Sequence, residues 1–211
     1  MKLVLLGPSG AGKGTQAKQL SKIFDIPHIS TGDILRGHIA RETDIGRQIE
    51  HIMDTGKLVP DEIVIELAKE RVAEPDCRTG FILDGFPRNL HQAEVLCGMN
   101  LGIDRVICIR LDDEVIVKRM SGRFTCPVCG AVYHTEYYPP KEAGVCDSCG
   151  SALIQREDDK ESTVMNRLKI YHEMTEPIIA FFSGVDLLSE INGLGGAEEI
   201  TAQIVRLFRE D

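Results

Sequence analysis

Residues Gly7-Pro-Ser-Gly-Ala-Gly-Lys-Gly-Thr15 follow the apolar run Leu3–Leu6 and precede a pattern of helical length. Glycines at this density let successive backbone N–H groups turn toward one point and form an anion nest. The helix that begins near Lys13 aims the positive end of its dipole at the same point. Lys13 adds a full charge where the outer phosphates of a nucleotide would lie. The general phosphate-loop pattern has Ser or Thr directly after the lysine. Here Gly14 intervenes and the hydroxyl arrives on Thr15. A glycine-rich turn with no ligand would not require the strand, the helix and the lysine together.

A second constellation is metal-ligating. Cys126-Pro-Val-Cys129 and Cys146-Asp-Ser-Cys149 are two Cys-x-x-Cys pairs, each followed by glycine (Gly130, Gly150). This spacing fits a closed tetrahedral four-thiolate site, structural because no position is left for water. Zn²⁺, Fe²⁺ and Co²⁺ all accept tetrahedral sulfur. The lobe between about Gly122 and Asp159 is too small to bury much apolar surface, so metal binding is expected to supply folding free energy. His134 is read as a residue of this lobe and not as a ligand.

Three further motifs carry arginine. Ser30-Thr31-Gly32-Asp33-Ile-Leu-Arg36 follows the second expected strand, and Asp84-Gly85-Phe86-Pro87-Arg88, with Gln92 beyond, follows the third. Gly122-Arg123 and Gln155-Arg156-Glu-Asp158-Asp159 bracket the cysteine lobe, and Arg167 lies on the next helix. Together with the displaced Thr15, these residues resemble the adenylate kinase family in its long, lid-bearing form, over essentially the whole chain. The four cysteines make it similar to the zinc-lid group of that family, although Phe124 stands where many relatives carry a second arginine.

The resemblance implies a P-loop kinase of the α/β class. A central parallel five-stranded sheet flanked by helices (1–29, 60–121 and 160–211) would carry an NMP-binding helical insertion (30–59) and a small zinc-organised lid (122–159). It implies transfer of a phosphoryl group from ATP to AMP to give two ADP, with Mg²⁺ as cofactor. Gly10, Ala11, Gly12, Lys13, Gly14 and Thr15 would hold ATP, with Arg119, Arg123, Val132 and Tyr133 approaching from the lid and Gly195 near the base. Thr31, Arg36, Lys57, Leu58, Val59, Gly85, Phe86, Pro87, Arg88 and Gln92 would form the AMP site, with Gln92 on adenine. Lys13, Arg88, Arg123, Arg156 and Arg167 would stabilise the transferred group, Arg156 and Arg167 also reaching AMP.

The chemistry of the residues agrees. Phosphoryl transfer needs positioning and charge stabilisation more than covalent participation. A phosphate acceptor is already anionic, so arginines matter more than a general base, and arginine binds phosphate oxygens bidentately. Asp84, at a strand end, suits a carboxylate that holds Mg²⁺ through waters. Asp33 is expected either to cap the following helix or to serve the metal through water. Asp158-Asp159 is read as a helix start and hinge, and Phe86-Pro87 as a tight turn that is cis in the family. Arg47, Arg71, Arg78, Arg206 and Arg209 are read as solvated arginines or halves of weak ion pairs.

The positioning elements follow from apolar periodicity. Strands are expected near Lys2–Leu6, His28–Ile29, Phe81–Leu83, Val106–Leu111 and Val185–Ile191. Helices are expected over Lys13–Phe24, Asp61–Val72, Leu90–Leu96, Asp113–Met120, Ser162–Phe182 and Glu198–Phe208, with Pro177 kinking or ending the fifth.

With 211 residues, 43% hydrophobic and 27% charged, one aliphatic-cored domain with an inserted lobe is expected. The net charge of −9 disfavours nucleic-acid binding. Between Cys126 and Cys149 there is one Lys against two Glu and one Asp, which counts against a nucleic-acid-binding zinc ribbon. The apolar run behind Lys2 is too short for a signal peptide, and no stretch approaches a membrane span. A cytoplasmic monomer acting on ATP, AMP and ADP is the expectation. The nearest alternatives keep the fold and change a substrate, as in GTP:AMP phosphotransferases and pyrimidine monophosphate kinases.

Overall fold

The computed structural model describes residues 1–208. Its centre is a five-stranded, wholly parallel sheet: β1 (Lys2–Leu6), β2 (His28–Ser30), β3 (Phe81–Asp84), β4 (Arg105–Arg110) and β7 (Leu188–Asn192), in the spatial order β2-β3-β1-β4-β7. Buried on both faces, its strands are near-continuous aliphatic runs, as parallel sheets require. Leu3, Leu5, Ile82, Ile107 and Ile109 pack on one face with α1 (Lys13–Phe24) and α9 (Ala197–Arg206). Val4, Leu6, Leu83, Val106 and Cys108 pack on the other, with Leu96 of α5 (Leu90–Gly98) and Ile178 and Phe182 of α8 (Pro177–Ser183). β1 is the central strand, so its carboxyl end opens where connections leave to either side, the usual ligand crevice of such sheets.

Between β2 and β3 the chain builds α2 (Thr31–Ala40), α3 (Asp44–Asp54) and α4 (Asp61–Val72). Helix α3 is not among the helices read from apolar periodicity, though it lies within the helical insertion expected over 30–59. Thr43 caps it through Gly46 N at 3.0 Å, and Ile49 is fully buried. A Cβ on Gly46 would sit 2.2 Å from His38 O, so α2 and α3 touch along the backbone. After α6 (Asp113–Ser121) come the antiparallel β5 (Arg123–Thr125) and β6 (Val132–His134), the cysteine lobe, and a one-turn 3₁₀ segment at Glu157–Asp159.

Two boundaries differ from expectation. The single helix expected over Ser162–Phe182 is α7 (Glu161–Ile170), a π-turn at Tyr171–Thr175 and then α8. Pro177 has no N–H to continue the ladder, and Glu176 N instead donates to Tyr171 O at 2.8 Å. The last strand begins at Leu188 and not at Val185, because residues 183–187 close the end of α8 with Asp186 at φ 55°.

Candidate active site

The phosphate loop leaves β1 and enters α1 as its sequence requires. Gly7 has φ 135°, and a Cβ there would lie 2.6 Å from Ile109 O on β4. At Gly10, φ 90°, a Cβ would lie 2.8 Å from Met120 Cγ on α6. Only glycine permits both the dihedral and the approach. Lys13 Nζ lies over the loop and donates to Gly7 O at 2.8 Å and Pro8 O at 2.9 Å. Burial lowers its pKa to about 8; Asp84 opposes that shift, while Arg88 and Arg167 reinforce it. Ala11 is buried, and Thr15 is exposed at the first turn of α1.

Asp84 closes β3 beside this loop, 3.5 Å from where a Cβ on Gly14 would stand. His28 Nε2 at the end of β2 lies 3.3 Å from its Oδ2. Burial alone would raise the Asp84 pKa, but the His28 hydrogen bond and the charge on Lys13 hold it below the ordinary carboxylate range. An ionised oxygen donor at this place fits a hydrated Mg²⁺.

The turn after Asp84 fixes Arg88. The Phe86–Pro87 peptide is cis. Arg88 Nε donates to Gly85 O at 2.7 Å, its N–H to Gln92 Oε1 at 2.8 Å, and its carbonyl accepts from Thr175 Oγ1 at 2.7 Å. Thr31, buried, donates weakly to Asp84 O at 3.4 Å and lies next to Gly85. Burial lowers the Arg88 pKa to about 10, and the nearby Arg167 and Arg36 act in the same direction against the pull of Asp84. Arg156 is also lowered to about 10, by burial and then by Arg36 and Arg123. Cations are thus gathered where water is scarce, an arrangement that favours a multivalent anion.

Their counter-charges are the pair read from sequence as a helix start and hinge. Asp158 and Asp159 are instead buried, at 7% and 0% exposure. Arg123 binds Asp159 bidentately, through Nε at 2.8 Å and through Nη2. Arg167 Nη1 lies 2.7 Å from Asp158 Oδ2. The 3₁₀ turn points the two neighbouring side chains to different arginines. Asp33 is not the cap of α2 either. Ser30 Oγ accepts from Asp33 N at 3.2 Å, and the Asp33 carboxylate pairs with Arg36 at 2.5 Å.

Two expected donor-side groups meet. Arg119 Nη2 donates to Gly193 O at 3.0 Å, and a Cβ on Gly193 would stand 3.5 Å from Ala11 O, so this turn adjoins the phosphate loop. Gly195 follows, exposed. Val132 is exposed, but the Tyr133 side chain is 3% exposed and turns into the cysteine lobe. Its hydroxyl accepts from Asp147 N at 2.8 Å and lies 3.6 Å from Cys146 Sγ. On the acceptor side Lys57 is exposed, Leu58 is half-buried and Val59 is buried.

The four sulfurs of Cys126, Cys129, Cys146 and Cys149 lie within 4.8 Å of one another, with Cys126–Cys149 at 3.4 Å and Cys129–Cys146 at 3.5 Å. Tetrahedral Zn–S bonds of about 2.3 Å place sulfurs about 3.8 Å apart, so the donor set fits a four-thiolate metal. The two halves mirror each other. Gly130 N donates to Cys126 O at 3.0 Å and Gly150 N to Cys146 O at 2.8 Å. His134 is not among the ligands; its Nδ1 accepts from Glu136 N and Tyr137 N at 3.0 and 3.2 Å.

Of the arginines read as ordinary, Arg71 pairs with Asp76 at 2.8 Å and Glu74 at 3.3 Å, and Arg47 pairs with Asp44. Arg209 lies outside the described residues.

A phosphate loop, a ring of half-buried arginines and a four-cysteine lobe at the carboxyl end of a parallel sheet define a P-loop nucleotide kinase. The family model of adenylate kinase matches residues 5–186. Curated adenylate kinases of Caldicellulosiruptor bescii, Finegoldia magna and Geobacter sp. are 51%, 49% and 49% identical to this chain. The alignments cover 98%, 97% and 99% of this chain, and 98%, 97% and 100% of the relatives. The chain belongs to the adenylate kinase family.

Proposed function

We propose that the cations around Lys13 receive two nucleotides end to end, and that transfer occurs between them. The chain is a nucleoside-monophosphate kinase whose reaction is ATP + AMP = 2 ADP. Gly10–Thr15 hold the donor phosphates, with Arg119, Arg123, the backbone at Val132 and Tyr133, and the turn at Gly195 completing that site. Thr31, Arg36, Lys57–Val59, Gly85–Arg88 and Gln92 hold AMP. Lys13, Arg88, Arg123, Arg156 and Arg167 stabilise charge on the transferred phosphoryl group.

One observation carries this reading. Lys13, Arg88 and Arg156 are all held below their ordinary pKa values, chiefly by burial, and Asp84 and Asp158 lie among them as counter-charges. Phosphate oxygens complete such a site, and arginines released from Asp158 and Asp159 can turn to them bidentately. The acceptor oxygen is already ionised, so no side chain need remove a proton.

Asp84 is the residue to hold Mg²⁺ through waters, and the ion would neutralise phosphate charge. Zn²⁺ is the metal proposed for the four thiolates. Residues 1–29, 60–121 and 160–211 act as the core, 30–59 as the acceptor-binding insertion and 122–159 as the lid, whose closure excludes water that would otherwise hydrolyse ATP. We further propose a cytoplasmic monomer that binds neither nucleic acid nor membrane. Among the described residues no helix is long and apolar enough to cross a membrane.

The test is a coupled assay across nucleoside mono- and triphosphates. ATP with AMP is expected to give the highest kcat/KM; preference for UMP, CMP or GTP would overturn the substrate assignment.

A further inference from the structure

The amide of Gln92 is 1% exposed, and both its polar atoms face groups of fixed hydrogen-bonding character. Oε1 accepts from the backbone N–H of Arg88 at 2.8 Å, a group that can only donate. Nε2 donates to Oδ1 of Asp61 at 2.7 Å, a carboxylate oxygen that also accepts from Asn89. Asp61 also takes Asn89 Nδ2 at 2.8 and 3.1 Å, while Asn89 Oδ1 accepts from the backbone N–H of Gln92 at 2.9 Å. Each of these contacts joins a donor to an acceptor, and neither amide can turn over alone. Reversing Gln92 would set oxygen against carboxylate and NH₂ against N–H, leaving buried groups unpaired.

We infer that Asp61 is a positioning residue for base selection: it pins the Gln92 amide so that the site accepts a 6-amino purine monophosphate and rejects a 6-oxo one. The inference rests on the reading in which Gln92 meets the acceptor base. With one N–H and one lone pair spent on the ring, Gln92 keeps one N–H and one lone pair, in an order that Asp61 fixes. A 6-amino purine offers an exocyclic donor beside a ring acceptor; a 6-oxo purine presents an acceptor at position 6. An amide free to turn would serve both bases, whereas a pinned one serves the first. Sites built to meet one donor–acceptor order discriminate because the wrong ligand leaves their polar groups unpaired. Asp61 sits in the first turn of α4, and Asn89 and Gln92 at the start of α5, so the lock also ties these helices together.

The decisive comparison is Asp61→Asn beside Gln92→Leu, each confirmed folded by its melting curve. Each is assayed with AMP and with IMP as acceptor and ATP as donor. The Asp61→Asn change leaves one neutral oxygen for both amides and sets an NH₂ against Asn89 Nδ2, so the hold on the Gln92 amide weakens. This variant is expected to raise the KM for AMP about tenfold and to narrow the AMP-over-IMP ratio of kcat/KM by about tenfold or more. The KM for ATP and kcat at saturating AMP should hold. Lower kcat and melting temperature with an unmoved AMP-over-IMP ratio would mean a merely structural role and overturn the inference. Loss of discrimination in Gln92→Leu alone would refute the lock and leave the base reading standing. An unmoved ratio in Gln92→Leu would refute the base reading and the lock with it. Should Asp61→Asn prove unstable, Asp61→Ala removes the acceptor with a smaller side chain and is judged by the same ratio.

Discussion

The phosphate cleft and the cysteine lobe stand side by side but are ordered by different forces. The cleft stands on an aliphatic sheet whose central strands are almost wholly inaccessible, so its loop and arginines are held by packing that needs no ligand. The lobe has an apolar cluster of only Cys126, Tyr133 and Cys146 with Phe124, Ala131 and Leu153 around them. Two of its three buried residues are metal-ligand candidates. What hydrophobic burial does for the cleft, thiolate coordination must do for the lobe. The lesson is that the cleft keeps its shape by packing alone, whereas the lobe, with so small an apolar cluster, depends on its four cysteines.

The largest expected effect separates function from stability within the arginines. Arg88→Ala should lower kcat/KM by about a hundredfold or more. Its melting temperature should stay level or rise, since a half-buried cation among like charges is gone. Arg123→Ala should lose activity and stability together, because it strands the carboxylate of Asp159, fully buried; breaking such a pair costs about 3–5 kcal/mol. Parallel activity and melting measurements decide this. Equal melting temperatures would mean that the two arginines are not different in kind.

Metal removal comes next. Chelation of the thiolate metal should expose the amides of residues 122–159 to hydrogen exchange while strands β1, β3 and β4 stay protected. Uniform deprotection, or none after verified metal loss, would erase the contrast between the two regions.

The smallest effect sharpens the cleft side. Burial favours neutral Lys13 and places its folded pKa near 8, so the free enzyme carries this charge below that pH and sheds it above. Phosphate binding restores the charged form. ATP binding at about pH 9 should therefore take up about one proton through Lys13, and at about pH 6.5 none. Calorimetry in buffers of different ionisation enthalpy reads the uptake directly; the same uptake at both pH values would remove Lys13 as its source.

Much of this is legible in the residues. Leu3–Leu6 and Val106–Ile109 announce buried parallel strands because nothing polar interrupts them, and the glycines and Lys13 announce an anion site by type and order alone. Helix α3 is absent from the helices read from periodicity although Ile45, Ile49, Ile52 and Met53 recur at helical spacing behind the cap Thr43; the run is short, and its apolar face is completed only by α2 beside it. Asp158 and Asp159 mislead because adjacent residues share a local context, while their partners lie 9 and 36 positions away. The signal for them is a pair of acidic residues next to arginines that have no other stated counter-charge. Asp61 and Asn89 give no such signal; their connection to Gln92 exists only once α4 meets α5. Tyr133 shows the converse, since its place in a motif says nothing about which way the ring turns.

Arg123 is the first residue of β5 on the way into the lobe, and Asp159 is the last of the 3₁₀ turn on the way out. Their bidentate contact therefore clasps the chain at both crossings, like a buckle on a strap. Whatever lies between can lengthen, shorten or change its means of cohesion over evolutionary time, provided the buckle is inherited with the body. The same two positions are the natural seams for grafting a lobe from one member of the family onto another.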